Sequence, residues 1–290
     1  MGHRPMAMTA TAFFNEPAGS VPSHAEDAFF GGIKLGNDTF KLTRVGRLVD
    51  LDAWLLAQLG REPADIDQML DIGVSSGVTT LDLVEQLRRA GYARAVTATD
   101  LAVNAYILPV WPGCRALVDR DGHALQYDVC GWALRPWRRR LDMVDGMVLV
   151  RWALNALCRD RLSRLMRDGP PADARTVRLV SPRLDQAEDI RVEQDDIMVR
   201  NPAFVGRFDL IRAANILNRD YFTPRALGRA MDNVITYLSG PGAWLLIGRT
   251  LDDSTHHATL FRLDDEGRLA VVDRFGRGSE VEEFALGGRG

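Results

Sequence analysis

The sequence has few cysteines, and they are not arranged to crosslink it. Its 290 residues include three, Cys114, Cys130 and Cys158. They are scattered and lack the paired spacing of a zinc site or a disulfide framework. A chain of this length can bury most of its surface without such crosslinks. We therefore expect an intracellular protein that is stabilised by a packed core.

Long apolar segments are also missing. No uncharged apolar run approaches the roughly 20 residues that a membrane-spanning helix needs. Residues 1–16 contain one arginine and lack the apolar centre of a secretory signal peptide. The sequence predicts neither a membrane span nor a cleaved signal, and it favours a cytoplasmic location.

Lysine is nearly absent, because Lys34 and Lys41 are the only two among 36 basic residues. The formal net charge is −3, so the whole chain is not a general binder of polyanions. With 46% hydrophobic and 26% charged residues, the composition excludes a mostly disordered or collagen-like chain. The length allows about two domains, or one α/β domain with an insertion.

A glycine turn after a short apolar strand is the most informative pattern. Residues 68–72 predict a buried strand, residues 79–90 an amphipathic helix and residues 95–100 a second strand. This succession predicts a βαβ unit with parallel strands. Small residues let the turn approach a ligand closely, and the helix start offers free N–H groups. Asp100 ends the second strand, where a carboxylate can accept hydrogen bonds from both ribose hydroxyls of an adenosine-type cofactor.

The turn resembles that of the class I S-adenosylmethionine-dependent methyltransferases. The family pattern is Asp-x-Gly-x-Gly-x-Gly, and this chain has Asp71-x-Gly73-x-Ser75-x-Gly77. Serine in the middle position is small enough for the turn. The resemblance implies that S-adenosylmethionine is the cofactor, and that Asp71 orders the loop and lies near the amino group of the cofactor.

Later segments extend the resemblance. Asp100 and Leu101 match the ribose-binding position of the family, and Asp196 and Ile197 match its third-strand acid and the apolar residue beside adenine. Residues 208–215 match the fourth strand, whose end at Asn215 lies beside the transferred methyl group in the family.

The remaining matches concern the fold. Residues 238–247 resemble the loop, Pro-Gly turn and fifth strand of the family, and a hairpin over 258–275 matches its last two antiparallel strands. The resemblance implies a doubly wound, mostly parallel seven-stranded sheet with an antiparallel C-terminal hairpin and an inserted cap subdomain.

The predicted organisation has four parts. Residues 1–24 are rich in Ala, Thr, Pro and Gly and predict a mobile tail, and residues 25–66 predict a helical extension. The cofactor-binding α/β domain is expected over 67–103 and 190–290. The 104–189 stretch between them predicts an inserted cap that contacts the substrate.

No catalytic residue is dictated by the resemblance. The methyl group is activated by the cofactor, and a base is needed only if the acceptor atom carries a proton. Asn215, Tyr221 and His256 are candidates near the predicted strand ends. Each has an alternative interpretation, since Asn215 could cap a turn, Tyr221 could pack in the core and His256 could lie in an exposed loop.

Other functions use the same residues. Residues 73–77 also fit the Gly-x-Ser-x-Gly turn of α/β hydrolases, with Ser75 as nucleophile. Such an enzyme would use an acid such as Asp209 or Asp252 and one of the histidines His256 and His257. The chain lacks the usual earlier strands and the oxyanion loop, and the spacing does not fit a nicotinamide-binding turn. A cofactor-binding protein without turnover is a further alternative.

The insertion contains the strongest charge asymmetry. Residues 135–167 hold nine arginines and three aspartates, a local charge of +6. Apolar residues share one side of a predicted helix over 141–166, with tryptophans nearby. This pattern favours peripheral membrane contact or a lid over a small-molecule or lipid-like acceptor, methylated at oxygen or nitrogen. A core-packed helix with a solvated arginine face is the alternative. The pattern argues against nucleic acid as a partner, because glycines and aromatics do not interleave the basic residues.

Overall fold

The computed structural model describes residues 8–37, 39–41, 43–61, 65–92, 94–137 and 147–287. Its helices are α1 (Ala10–Phe13), α2 (Ser23–Gly31), α3 (Val49–Leu59), α4 (Val78–Arg89), α5 (Met147–Asp168), α6 (Pro182–Asp185), α7 (Pro224–Tyr237) and α8 (Glu282–Ala285). Its strands are β1 (Gln68–Ile72), β2 (Ala95–Asp100), β3 (Asn104–Trp111), β4 (Cys114–Asp119), β5 (Ala124–Val129), β6 (Trp132–Leu134), β7 (Arg175–Arg178), β8 (Ile190–Gln194), β9 (Leu210–Ala214), β10 (Trp244–Thr250), β11 (His256–Leu263) and β12 (Leu269–Phe275).

The chain forms two compact units. The first comprises Met1–Arg44 and Ala102–Gln186, and the second comprises Val45–Leu101 and Ala187–Gly290. The insertion therefore starts at 102 rather than 104 and ends at 186 rather than 189. The predicted helical extension is divided, because the part up to Arg44 belongs to the first unit and the part from Val45 belongs to the second.

The second unit is built on a seven-stranded sheet of order β12-β11-β10-β9-β1-β2-β8. Five neighbouring strands from β8 to β10 are parallel, and β11 runs antiparallel to both of its neighbours. From β1 the chain moves outward through β2 to β8 and then returns to build the other side from β9. The strand order thus reverses between β1 and β9. The predicted mostly parallel seven-stranded sheet with an antiparallel C-terminal hairpin is confirmed.

Helices cover both faces of this sheet. Leu70 and Ile72 of β1 pack in a core that includes residues of α7 and α8. Between them, Asp71 points to the opposite face, since successive side chains of a strand alternate. There its carboxylate meets Thr80 of α4. On α7, Leu227, Met231 and Val234 are fully buried, as expected for one apolar stripe of a helix.

The first unit is built on a five-stranded antiparallel sheet of order β6-β5-β4-β3-β7. One apolar core combines this sheet with α1 and α2. A second core combines it with α5, whose buried side chains are Leu154, Cys158 and Leu165. Residues 138–146, which include the predicted start of the basic helix, lie outside the described residues. In the part of the chain that is described, no helix is long and apolar enough to span a membrane.

The prediction of a mobile tail over 1–24 is wrong for residues 8–24. Phe13 is fully buried and stacks on Phe29, with 4.0 Å between ring centroids. The backbone N–H of Ala10 donates to Oε1 of Gln126 at 2.6 Å. Burial of these large aromatic rings stabilises the segment. The small, turn-forming residues around them gave no sign of this in the sequence. The first seven residues lie outside the described part.

Candidate functional site

The loop between β1 and α4 has a left-handed backbone at every second residue. The φ angles are +73° at Gly73, +59° at Ser75 and +78° at Gly77. Glycine adopts this region without steric cost, which explains why the motif has small residues at these positions. The N–H groups of Gly73 and Val74 both donate to the carbonyl of Thr99, at 2.8 and 3.0 Å. The loop is therefore held tightly against the end of β2.

The same loop touches the segment that follows β9. A Cβ atom added at Gly73 would lie 3.0 Å from Cβ of Ile216. The two loops therefore meet where the strand order reverses. Open α/β sheets bind ligands at this place, outside the carboxyl ends of the strands.

Asp100 lies beside the loop at the end of β2. Its Oδ2 accepts a hydrogen bond from the backbone N–H of Ser75 at 2.7 Å. The side chain is partly exposed, and the next residue, Leu101, is 50% exposed. A carboxylate held in this way can accept hydrogen bonds from hydroxyl groups of a ligand that lies over the loop.

Asp71 lies beneath the loop and is almost completely buried. Its Oδ1 accepts from Nε of Arg212 at 2.9 Å. Its Oδ2 accepts from Nη2 of Arg212 at 2.5 Å and from Oγ1 of Thr80 at 2.7 Å. These bonds tie β1 to the first turn of α4, on either side of the loop. The position of Asp71 near the amino group of the cofactor stays a prediction.

Arg212 joins Asp71 to a second acid, and we call Asp52, Asp71 and Arg212 the buried cluster. Asp71 and Arg212 are neighbours in the register of β1 and β9. Nη1 of Arg212 donates to Oδ1 of Asp52 on α3 at 3.1 Å. All three side chains are at most 3% exposed. Oδ2 of Asp52 accepts no hydrogen bond in the described part of the chain.

The buried cluster carries one more negative than positive charge when both acids are ionised. Burial raises the pKa of Asp52 to about 6, although Arg212 acts to lower it. Burial lowers the pKa of Arg212, but the carboxylates of Asp71 and Asp52 outweigh this effect and raise it. Our sequence interpretation missed Asp52 and Arg212. The signal available was a single arginine within an otherwise apolar strand.

The acids that follow β8 differ from the prediction. This strand ends at Gln194, so Asp196 lies in a turn, where it is exposed and its Oδ1 accepts from the N–H of Met198 at 2.9 Å. Ile197 is buried in the core beside α7. Asp195 is closer to the sheet, and its N–H donates to the carbonyl of Asp100 at 3.1 Å. Burial raises the pKa of Asp195.

Two of the catalytic candidates are engaged in structural contacts. Oδ1 of Asn215 accepts from the N–H of Thr250 at 2.6 Å, and the φ of Asn215 is +62°, so it caps the end of the sheet between β9 and β10. His256 is the first residue of β11, not part of an exposed loop. Its Nδ1 contacts Oγ1 of Thr250 at 3.1 Å, and the imidazole also has a hydrogen bond with the backbone of Arg47. Burial lowers the pKa of His256.

The third candidate, Tyr221, is 57% exposed, so the alternative that it packs in the core is wrong. The histidines that a hydrolase would use have other partners. His256 contacts Thr250, and Nδ1 of His257 accepts from the N–H of Arg277 at 2.8 Å. The described residues also contain no group of three or more His, Cys, Asp or Glu side chains that could hold a metal ion.

No family model and no curated protein matches the sequence. Among solved structures, the chain is similar to the N-methyltransferase NodS from Bradyrhizobium japonicum in complex with S-adenosylhomocysteine. The identity is 18%, the alignment covers 76% of this chain and 70% of that one, and the TM-score is 0.35. It is also similar to CalS10, an amino pentose methyltransferase from Micromonospora echinaspora with bound S-adenosylmethionine, at 12% identity, 83% and 82% coverage and a TM-score of 0.35.

A third similar structure is the CMeT domain of the citrinin polyketide synthase. The identity is 14%, the TM-score is 0.37, and the alignment covers 82% of this chain but only 41% of that one. These identities and TM-scores are too low to support an argument about the fold. The fold is established by the strand order and register of the chain itself.

Proposed function

We propose that the second unit binds S-adenosylmethionine and that the protein transfers its methyl group to a small-molecule or lipid-like acceptor, at oxygen or nitrogen. One observation carries the proposal. A tight loop with left-handed residues at 73, 75 and 77 is joined to the partly exposed carboxylate of Asp100, where the strand order reverses. This combination of backbone and acid fits an adenosine-type cofactor.

Different residues would contact different parts of the cofactor. The Gly73–Gly77 backbone would lie against the cofactor, and Asp100 would accept hydrogen bonds from its ribose hydroxyls. Leu101 and Ile197, with Asp196, would flank the adenine. When bound, the cofactor supplies a methyl group that is already activated on a sulfonium. The chain then has only to orient the acceptor and exclude water. Asn215 and Tyr221 stay predicted contacts of the acceptor.

Calorimetric titration of Asp100→Asn tests cofactor binding. Asparagine can still accept the N–H of Ser75, but it lacks the charge that strengthens hydrogen bonds from ligand hydroxyls. We expect the affinity for S-adenosylmethionine to fall about 10- to 100-fold, since such bonds contribute about 1.5–3 kcal/mol. Asp232→Asn is the matched control, because Asp232 is an exposed acid on α7. Equal affinities of the two variants, or no binding by the wild type, would contradict the proposal.

Turnover separates the enzyme from its alternatives. The enzyme should release S-adenosylhomocysteine when it is incubated with S-adenosylmethionine and a metabolite or lipid extract. Binding of the cofactor without turnover in any extract would favour a cofactor-binding protein. Covalent labelling of Ser75 by a fluorophosphonate would favour the hydrolase.

We further propose that α5 contacts a lipid surface and thereby brings a lipid-like acceptor to the protein. Its outer side exposes large apolar residues in the first half of the described helix, with Leu149 73% and Trp152 70% exposed. Exposed arginines follow in the second half, at Arg159, Arg164 and Arg167. Apolar side chains that enter the headgroup region and basic ones that attract anionic lipids are typical of interfacial helices.

Vesicle co-sedimentation tests this contact. We expect binding to vesicles that contain phosphatidylglycerol, weaker binding at high salt and little binding to pure phosphatidylcholine, because salt screens the arginines. The double variant Leu149→Ser, Trp152→Ser should lose most of the binding. Val199→Ser, which changes an exposed apolar residue of the second unit, should keep it. Equal binding by both variants would show that α5 is not the contact.

A further inference from the structure

The proposed function gives no role to Asp52, although this acid is costly to bury. It lies on α3 with its side chain 1% exposed. Its Oδ1 is paired with Nη1 of Arg212, and Arg212 is shared with Asp71. Oδ2 has no hydrogen-bond partner in the described structure. Arg212 can balance the charge of one of the two buried carboxylates. When both are ionised, the cluster keeps one surplus negative charge, which the pairing of Arg212 with Asp71 does not require.

The buried cluster adjoins the loop through Asp71. Asp71 is the penultimate residue of β1, and its carboxylate reaches Thr80 in the first turn of α4. These two residues flank the Gly73–Gly77 loop on both sides. Arg212 carries the contact onward to Asp52 on the same face of the sheet. A ligand that rests on the loop would therefore lie above a buried region of net negative charge.

The substrate and product forms of the proposed cofactor differ in charge at sulfur. S-adenosylmethionine is a sulfonium cation, whereas S-adenosylhomocysteine has a neutral thioether there, and the rest of the molecule is shared. We propose that Asp52 determines selectivity between the two, because its charge favours the sulfonium over the product. This inference rests on the proposed function and names a residue that acts on the same site without touching the ligand.

The expected size follows from Coulomb's law. Two unit charges about 10 Å apart, at an effective dielectric constant of about 20, interact strongly enough to change an affinity roughly 10- to 20-fold. Preferential binding of the cation would also help the product to leave after transfer. The charge of Asp52 is thus expected to affect one ligand strongly and the other weakly.

The test compares dissociation constants for both ligands by calorimetry at pH 8. In Asp52→Asn, the side chain keeps an oxygen for Arg212 and loses the charge. We expect the preference for S-adenosylmethionine over S-adenosylhomocysteine to fall about tenfold, with the affinity for the product little changed. Asp50→Asn removes an exposed acid two residues away on α3 and should keep the wild-type preference. A purely structural role of Asp52 would weaken both ligands equally.

A second measurement uses the wild type and does not require the variant to fold. The preference should fall between pH 8 and pH 5.5, as Asp52 takes up a proton. The sulfonium lowers the amino pKa of S-adenosylmethionine below that of S-adenosylhomocysteine, so the fall is read over the part of this range below pH 7, where both amino groups stay protonated. The charged groups around Asp52 are Arg212 of β9, Asp71 of β1 and Asp82 of α4, and the neighbouring strands β11 and β12 carry His256 and Asp273. His256→Gln should keep this pH dependence, since it leaves Asp52 intact.

The outcomes are distinguishable. If the wild type binds neither ligand, the proposed function fails and this inference fails with it. If the wild type binds both, and Asp52→Asn and the change of pH both leave the preference unchanged, only the role of Asp52 is overturned. A preference that falls in Asp52→Asn and at pH 5.5 but not in Asp50→Asn supports it.

Discussion

Two acids of the second unit, Asp71 and Asp100, lie near the carboxyl ends of the adjacent strands β1 and β2. Their surroundings are opposite. Asp71 belongs to the buried cluster, where Arg212 and Thr80 hold it. Asp100 is partly exposed and accepts the backbone N–H of Ser75 in the loop. An acid in a binding motif thus supports the loop when it is buried and paired, and it is available to a ligand when it is exposed. The first should affect stability, and the second affinity.

Arg212→Met, which removes the arginine of the buried cluster, should destabilise the protein most. Two buried carboxylates would then lack their common partner, and breaking a buried pair in this way costs about 3–5 kcal/mol. The free energy of unfolding, measured in urea, should fall by this amount. Arg225→Met removes an exposed arginine from the first turn of α7 and should change it by less than about 0.5 kcal/mol. Similar losses in the two variants would remove the distinction between buried and exposed charge.

A smaller loss is expected for Gly73→Ala, in the loop between the two acids. The new Cβ would be strained by a φ of +73° and would press on Ile216 at 3.0 Å. We expect a loss of about 2 kcal/mol, since strain in this region costs about 1–3 kcal/mol. Gly91→Ala is the control, because its φ is +85° and nothing lies within 4 Å. It should cost about 1 kcal/mol by strain alone. Equal losses would mean that the contact with Ile216 contributes nothing.

The smallest effect is the pH dependence that Asp52 contributes. Its pKa of about 6 in the folded protein lies above its ordinary value of 3.8. The folded state therefore binds the proton more tightly than the unfolded state, and this acid stabilises the protein as the pH falls. Between pH 8 and pH 5 we expect a gain of about 1 kcal/mol from Asp52. Other carboxylates titrate too, so the quantity to measure is the difference in unfolding free energy between wild type and Asp52→Asn. A difference that does not vary with pH would contradict the shift.

Local sequence patterns were enough to predict the exposed acid, Asp100, and the loop beside it. The strand, turn and helix around Gly73–Gly77 are continuous in sequence, and a β-rich run that ends in an acid placed Asp100 at the neighbouring strand end. Parallel pairing of the two strands then followed from the short connection between them. For these reasons the sequence sufficed for the fold of the second unit and for the loop.

The buried cluster could not be predicted in this way, because its members are distant in sequence. Asp71 and Arg212 are separated by 141 residues, and Arg212 and Asp52 by 160. Their contact requires that β9 be placed next to β1 in the correct register, which spacing along the chain does not reveal. The ordered N-terminal segment was missed for a related reason, since Phe13 is buried by residues of the inserted sheet and of α2.

The division of the first unit into two stretches of chain has a consequence for folding during synthesis. Ala10 binds Gln126, which is made 116 residues later. At about 5–20 residues per second, the ribosome takes roughly 6–23 s to cover that distance. Until this interval ends, the phenylalanines of α1 and α2 lack the complete sheet that buries them. The nascent chain therefore exposes an aromatic segment early and covers it late, and this interval is when a chaperone would be most useful to it.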